Sequence, residues 1–275
     1  MSYETIRFER GPVARIVLDR PRVLNAQDRR MLRELDHAFA AAAGDPEIRV
    51  IVLSGEGEHF SAGHDVREIA DRDRAVEAGE RPITGTELQD LYLDSHLRWR
   101  NVLKPTIAMI HGYCIFGGWM LASAMDFAFA ADDLKLLAYP APADYWAVIW
   151  ELRPRRALEL LYENRFVKAD EALELGFVNR VYPRADLERE TLAYARRVAE
   201  NDPRLLRALK LHVNQTLDGM GFSQSVTAAF NALRGPDGGR AGRPAPRVET
   251  TGGRLRFRNV GPALERLRRQ DRGRR

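Results

Sequence analysis

Short apolar runs that suit buried strands alternate with amphipathic helical stretches along most of this sequence. The run "RVIVLSGEG" follows a helix-like stretch from Asn25 to Ile48, in which Met31, Leu35 and Phe39 fall on one face. The run "TIAMIHGYCIF" follows a second helix-like stretch that stops at Pro105. Repeated alternation of helix and strand is typical of layered folds in which helices cover a largely parallel sheet. The sequence therefore predicts an α/β fold.

Two glycine-containing turns interrupt this alternation, each placed after a strand and before a helix. They are "SAGHD" at 61–65 and "FGGWM" at 116–120. Two adjacent glycines in an apolar run contribute no side chains to the packing of the core. Their presence indicates a positive φ or a close approach of another group to the backbone. A helix N-terminus presents unpaired N–H donors, so two converging ones would hold an oxygen that becomes anionic. Ordinary strand-to-helix turns would have the same spacing, and both interpretations stay open on spacing alone.

The charge of the chain is concentrated in its last part. Residues 235–275 hold twelve Arg, no Lys and four acidic residues, a net charge of +8. Since the whole chain carries +4, residues 1–234 carry −4. A body with this balance does not have the basic composition of a nucleic-acid-binding domain, and no nucleic-acid partner is expected. The Gly, Pro and Arg content of 235–275 predicts a disordered tail that is dispensable for folding.

Several classes of protein are not expected. The sequence has no run of about 18 apolar residues that would span a membrane. Its start, "MSYETIRFER", lacks the apolar segment of a secretory signal. The single cysteine, Cys114, cannot form an internal disulfide, so we predict a cytoplasmic protein without a membrane partner. No metal-ligand spacing is present, and Gly117-Gly118 lacks the third glycine of a dinucleotide-binding motif.

The stretches "HFSAGHDVREI" and "HGYCIFGGWMLASAMD" resemble the two signatures of the crotonase (enoyl-CoA hydratase/isomerase) superfamily. The similarity extends over residues 5–230 and includes "IVLDRPRVLNA", "KPTIAMIHGY" and "KADEALELGFVNRVYP" in the family's order. It implies a crotonase-like core of stacked ββα turns over residues 1–185. It also implies a C-terminal helical region at 186–234 that forms a homotrimer or a dimer of trimers, followed by the basic tail at 235–275.

The resemblance implies an acyl-CoA thioester as substrate, with coenzyme A arriving as part of the substrate and no separate cofactor. The thioester oxygen would lie between the backbone N–H groups of His64 and Gly117. The His64 imidazole could also act as an acid or base, and we favour the backbone role; Asp65 is expected to cap the following helix. The implied surface for substrate and CoA consists of Arg22, Leu24, Ala62, His64, Asp65, Tyr113, Gly117 and Gly118.

The chain departs from the family at the positions of its two hydratase glutamates. Met120 and Ala141 occupy these positions, and neither side chain can transfer a proton. Asp144, Tyr145 and Glu151 follow shortly afterwards and could replace them, since a carboxyl group among aromatic residues has a raised pKa. Each also has a structural interpretation: a turn residue, a packed aromatic residue and a surface residue at a helix start.

The sequence therefore predicts a crotonase-family lyase, isomerase or hydrolase that acts through an oxyanion and is not a standard short-chain hydratase. Hydration by substitute residues, a double-bond shift and C–C hydrolysis stay open. A non-catalytic relative that binds acyl-CoA or RNA is the alternative. We also expect Gly118→Ala to be milder than Gly117→Val, because only the turn conformation depends on residue 118.

Overall fold

The computed structural model describes residues 2–79, 83–138, 142–232, 248–251, 254–257 and 260–272. Its strands are β1 (Ile6–Glu9), β2 (Val13–Leu18), β3 (Val50–Gly55), β4 (Thr106–Ile110), β5 (Tyr113–Ile115), β6 (Phe127–Ala131), β7 (Lys135–Leu137), β8 (Val167–Lys168), β9 (Arg180–Tyr182), β10 (Val248–Thr251) and β11 (Arg254–Phe257). Its helices are α1 (Arg29–Gly44), α2 (Val66–Glu77), α3 (Gly85–Gln89), α4 (Ser95–Arg100), α5 (Gly117–Ser123), α6 (Val148–Glu151), α7 (Pro154–Glu163), α8 (Ala169–Leu175), α9 (Leu187–Ala199), α10 (Pro203–Gly219), α11 (Phe222–Ala232) and α12 (Val260–Arg272). A 3-10 turn covers Pro21–Val23, and a π-helical turn, Asp90–Asp94, joins α3 to α4.

The main sheet has the strand order β1-β2-β3-β4-β6-β9. The β1 strand runs antiparallel to β2, and every other neighbouring pair is parallel. Parallel strands are normally covered on both faces, and β3 follows this rule because each residue from Val50 to Ser54 is buried. The predicted α/β class is confirmed.

A second layer of short strands lies beside the main sheet, in the order β5-β7-β8. It is extended by single parallel bridges from Ser61 to Cys114 and from Gln27 to His64. The chain therefore repeats one path: a main-sheet strand, a short second-layer strand, then a helix. Gly112, at φ +53°, makes the turn between β4 and β5, so the single strand predicted for "TIAMIHGYCIF" is two strands.

The predicted boundary between a core at 1–185 and a helical region at 186–234 does not match the packing. The α9 helix buries Leu187 and Ala195 against Val50 and Val52 on the main sheet, so it belongs to the core. The α11 helix also packs into the main core, through Phe222. Only α10 among the helices described between 186 and 232 leaves a row of large apolar side chains exposed, namely Leu205, Leu209, Leu211 and Val213.

The tail is not disordered where the structure describes it. Strands β10 and β11 form an antiparallel hairpin, and α12 follows as a helix of 13 residues. Ala263 and Leu267 of this helix are buried against Phe116 and Phe166. The expectation of disorder is wrong for these residues because the apolar side chains of α12 share one face despite the Arg-rich composition. Residues 235–247 lie outside the described part of the chain.

The helices that the structure describes include none with the length and apolar character needed to cross a membrane.

Candidate active site

The two glycine turns meet in the folded chain. The N–H of Ser61 donates to the carbonyl of Tyr113 (3.0 Å), and the N–H of Ile115 donates to the carbonyl of Ser61 (3.0 Å). A Cβ added to Gly63, which has φ +87°, would lie 3.0 Å from the backbone nitrogen of Gly117. The turn at 61–65 therefore packs directly against the first residue of α5, as convergence of the two turns requires.

Two backbone N–H groups of these turns are directed away from the surrounding ladder. In the bridge between Gln27 and His64, the Gln27 N–H donates to Gly63 (2.8 Å) and the Asp65 N–H donates to Gln27 (2.8 Å). Because alternate residues of a strand point to opposite sides, the N–H of His64 points away from Gln27. Gly117 is the first residue of α5, and the N–H of a first helical residue has no carbonyl partner within its own helix.

Glycine is required at 117 and 118 because neighbouring atoms leave no room for a Cβ, and not because of the backbone torsions of these two residues. Positive φ occurs at the preceding residue, Phe116 (φ 47°, ψ −104°). A Cβ on Gly117 would lie 2.8 Å from Oε1 of Gln27 and 2.9 Å from Nε2 of His64. A Cβ on Gly118 would lie 2.7 Å from the carbonyl oxygen of Ser61, which is backbone and cannot turn aside. The reason for expecting Gly118→Ala to be the milder change, that only the turn conformation depends on residue 118, does not hold, whereas its milder effect on turnover stays a prediction.

The imidazole of His64 lies at this meeting point. Its Nδ1 is 3.8 Å from Oδ2 of Asp144, within ion-pair range, and its Nε2 edge covers Gly117. The ring of Tyr92 stands edge-on to it at 4.7 Å, carried by the π-helical turn. The sequence favoured a backbone role for His64, whereas the fold brings both its backbone and its side chain to the site. Asp144 has φ +50°, so it is a turn residue as well as a neighbour of His64.

Tyr145 lies shortly before α6, and Glu151 is the last residue of α6. Tyr145 is fully buried, and its ring stacks on His96 at 5.3 Å. The Glu151 carboxyl is hydrogen-bonded to Trp119 and Ser123. Both residues line a cavity of about 600 Å³ beneath α10. Of the three candidate replacements for the glutamates, Asp144 is the one that lies beside His64.

We expect Glu151 to make the stability of the fold depend on pH. Burial raises the pKa of its carboxyl from 4.5 to about 7, against the opposing effect of its hydrogen bonds. The folded chain therefore keeps a proton that the unfolded chain releases, and the free energy of unfolding falls as pH rises between these values. The fall should reach about 3 kcal/mol at most. Urea unfolding at pH 5 and pH 8 should show this component in the parent and not in Glu151→Gln; equal pH dependence in both would contradict it.

The remaining positions of interest, including His96 beside Tyr145, have simpler surroundings. Met120 is buried in the main core, and Ala141 lies outside the described residues. Burial lowers the pKa of His96 to about 3, so this histidine is neutral. Cys114 is buried, which raises the pKa of its thiol. Within the described residues, no group of three His, Cys, Asp or Glu side chains could hold a metal ion.

Some residues of the predicted CoA surface are exposed, and others form hydrogen bonds or ion pairs within the chain. Arg22 and Leu24 are exposed, and Leu24 has φ +56°. The Ala62 N–H donates to the carbonyl of Leu24 (2.9 Å) and so holds this loop against the first glycine turn. Asp65 pairs with Arg20 (3.1 Å). Its carboxylate also accepts a hydrogen bond from the N–H of Arg67 (3.0 Å) in the first turn of α2, as predicted for a helix cap.

Tyr113 has a different neighbourhood from the rest of the predicted surface. Its ring packs against His59 at 4.4 Å and against Phe166 at 5.9 Å, in the cluster that α12 covers. This placement favours a structural role for Tyr113.

The sequence did not single out Gln27 or Tyr92. The Gln27 amide donates to Oγ of Ser61 (3.2 Å), and its buried Oε1 faces Gly117. Tyr92 reaches His64 because the π-helical turn shifts the helix register there. The only signal in the sequence was the motif "RPRVLNA" just before Gln27, and it pointed to CoA. Contacts between positions so far apart in the chain cannot be read from a single sequence.

Comparisons with known proteins concern the whole chain and its fold. The model of the family described as enoyl-CoA hydratase/isomerase matches residues 9–233. EchA13 of Mycobacterium tuberculosis is 35% identical over 289 residues, covering 96% of this chain and 88% of that protein. A crystal structure of an enoyl-CoA hydratase/isomerase from Xanthobacter autotrophicus Py2 has a TM-score of 0.75 at 31% identity, covering 84% of this chain and 86% of that one. A crystal structure described as a probable enoyl-CoA hydratase from Mycobacterium smegmatis has a TM-score of 0.74 at 38% identity, covering 82% of this chain and 91% of that one.

Proposed function

Because the chain belongs to the enoyl-CoA hydratase/isomerase family, we propose that it is an acyl-CoA enzyme that moves a proton along the carbon chain next to the thioester. The thioester oxygen accepts hydrogen bonds from the N–H groups of His64 and Gly117. Removing a proton beside the thioester carbonyl places negative charge on this oxygen, which is where preorganised donors stabilise the transition state most.

The observation that carries the proposal is the position of the His64 imidazole between Asp144 and Gly117. An imidazole beside a carboxylate is a suitable general base at neutral pH, since the carboxylate stabilises the imidazolium that forms. In a double-bond shift, Nε2 takes the proton from C2 of a 3-enoyl-CoA, and the charge moves to the thioester oxygen. The same imidazolium then returns the proton to C4, which gives the 2-enoyl-CoA.

One group that first takes and then returns a proton is sufficient for this shift, whereas hydration also requires an activated water molecule. The two positions that hold carboxylates in the family's hydratases are Met120 and Ala141, so the standard pair for activating water is missing. A panel of acyl-CoA thioesters, analysed by liquid chromatography that separates double-bond isomers and by mass spectrometry, tests the proposal. Isomerisation without a change of mass supports it, whereas a gain of 18 Da or cleavage of the acyl chain identifies hydration or C–C hydrolysis instead.

We expect His64→Ala to separate the two roles of residue 64. The variant keeps the backbone N–H and removes the imidazole, so acyl-CoA affinity should change little while turnover falls by about 10²–10⁴-fold. Steady-state kinetics and calorimetric titration measure the two effects. Asp144→Asn is the matched second variant, because asparagine tolerates φ +50° and removes only the charge; it should reduce turnover less than His64→Ala. Unchanged turnover in His64→Ala would leave only the backbone role.

We also propose that the chain forms a homotrimer or a dimer of trimers in which α10 is covered. Leu205, Leu209 and Val213 of this helix are each more than half exposed and follow one another at intervals of four residues, so they form an apolar row that a partner surface would bury. Light scattering at micromolar concentration should give a mass of three or six chains. A monomer mass would contradict this assembly.

A further inference from the structure

The C-terminal extension contacts one glycine turn of the candidate active site, at Phe116, and the helix α2 that follows the other. We propose that α12 is a positioning element, which holds Phe116 in the conformation that aims the N–H of Gly117 at the substrate. This inference rests on the proposed function, because it concerns the same oxyanion-binding N–H. It gives the extension a role in the chemistry beyond that of a tail.

The buried residues of α12 share one apolar cluster with Phe116. Ala263 and Leu267 are buried in one apolar cluster with Phe116, Ile115 and Leu137. Phe116 itself is 5% exposed. The helix is also tied down by a hydrogen bond from the guanidinium of Arg266 to the carbonyl of Asn164 (2.6 Å), at the end of α7.

The hairpin that precedes α12 lies near the helix that follows the other turn. Strand β11 packs next to α2, which begins directly after Asp65. The extension therefore contacts the residue before the Gly117 donor and the helix after the His64 donor.

Phe116 has a backbone conformation that it would not adopt alone. Its φ of 47° and ψ of −104° lie in a region that glycine occupies easily and residues with a Cβ avoid. Such conformations persist only where the surrounding structure enforces them. Its backbone is fixed on both sides, since its N–H donates to Leu137 (2.9 Å) and its carbonyl accepts from Met120 (2.9 Å).

The strained torsion directly sets the direction of the proposed donor. Rotation about ψ of Phe116 turns the peptide plane that contains the N–H of Gly117. If the apolar cover of Phe116 is lost, its side chain can leave the cluster, and ψ can relax at the expense of the hydrogen bond that the Phe116 carbonyl accepts from Met120. The N–H of Gly117 then points away from the thioester oxygen, although the main core, which does not include Ala263 or Leu267, is intact.

The test uses the full chain and acetoacetyl-CoA, a thioester whose enolate absorbs in the near ultraviolet. An oxyanion pocket raises the fraction of bound ligand in the enolate form, so the absorbance reports on the N–H donors without requiring turnover. Leu267→Asp places a charge in the buried contact, and Arg268→Asp is the matched control on the exposed face of the same helix. Leu267→Ala is the milder version in case the aspartate variant does not fold.

We expect the enolate signal of Leu267→Asp to fall about tenfold while Arg268→Asp resembles the parent. Adding Phe116→Gly should restore the signal, because glycine adopts the required torsions without support from α12. A folded Leu267→Asp or Leu267→Ala with the parent's signal would overturn the inference, as would failure of Phe116→Gly to rescue it. A parent chain with no enolate signal would overturn the proposed function itself, so the two failures are distinguishable.

Discussion

Gly117→Val should abolish turnover while the chain stays folded. A Cβ at this position already lies 2.8 Å from Oε1 of Gln27 and 2.9 Å from Nε2 of His64, and the two further methyl groups of valine would occupy the space in front of the N–H. Loss of one oxyanion donor typically costs about 10²–10³-fold in kcat. Obstruction of the pocket adds to this loss, so we expect a decrease of at least 10³-fold in steady-state turnover.

Two other glycines provide controls for this substitution. Gly118→Ala brings a Cβ to 2.7 Å from the Ser61 carbonyl, so it should lower the melting temperature through overpacking of about 1–3 kcal/mol. Gly44→Ala, at the end of α1, meets no atom within 4 Å and should change neither activity nor stability. If folded Gly117→Val turned over substrate at the parental rate, no oxyanion pocket would exist at this turn.

Hydration of crotonyl-CoA should be very slow in the parent chain. The positions of both hydratase glutamates carry Met120 and Ala141, and general acids and bases typically contribute about 10²–10⁴-fold each. Met120 is buried in the main core, so no rearrangement of its side chain supplies a proton donor. A spectrophotometric assay of crotonyl-CoA measures the rate, and binding of acetoacetyl-CoA by the same preparation is the control for a competent site. A turnover in the ordinary enzymatic range of about 1–10³ s⁻¹ would contradict the prediction.

The sequence predicted those parts of the fold that depend on local pattern. The strand at Val50–Gly55 and the helix at Arg29–Gly44 follow from runs of apolar residues with the period of each element. The prediction from sequence failed where an element with no strong local pattern is held in place by tertiary contacts. The tail has the composition of a disordered segment, yet Ala263 and Leu267 are enough to dock α12 on a cluster provided by distant strands.

The candidate site shows the same division. The two glycine turns could be recognised because each is a short motif beside a strand and a helix. The juxtaposition of Asp144 with His64 could not be predicted, since it is a tertiary contact between segments about 80 residues apart in the chain. The reason for the two glycines could be predicted only in part, because the sequence allowed either a positive φ or a close approach to the backbone. In the fold, the positive φ belongs to Phe116 instead.

We expect the N–H groups of His64 and Gly117 to bind the carbonyl oxygen of an acyl-CoA thioester. The most direct test is the infrared difference spectrum of bound acetyl-CoA that carries carbon-13 at its carbonyl. Two hydrogen bonds to this oxygen weaken the carbonyl bond. We therefore predict a carbonyl stretch at lower frequency than in solution for the parent, and the loss of this shift in Gly117→Val. A bound carbonyl with the solution frequency in the parent would contradict the account.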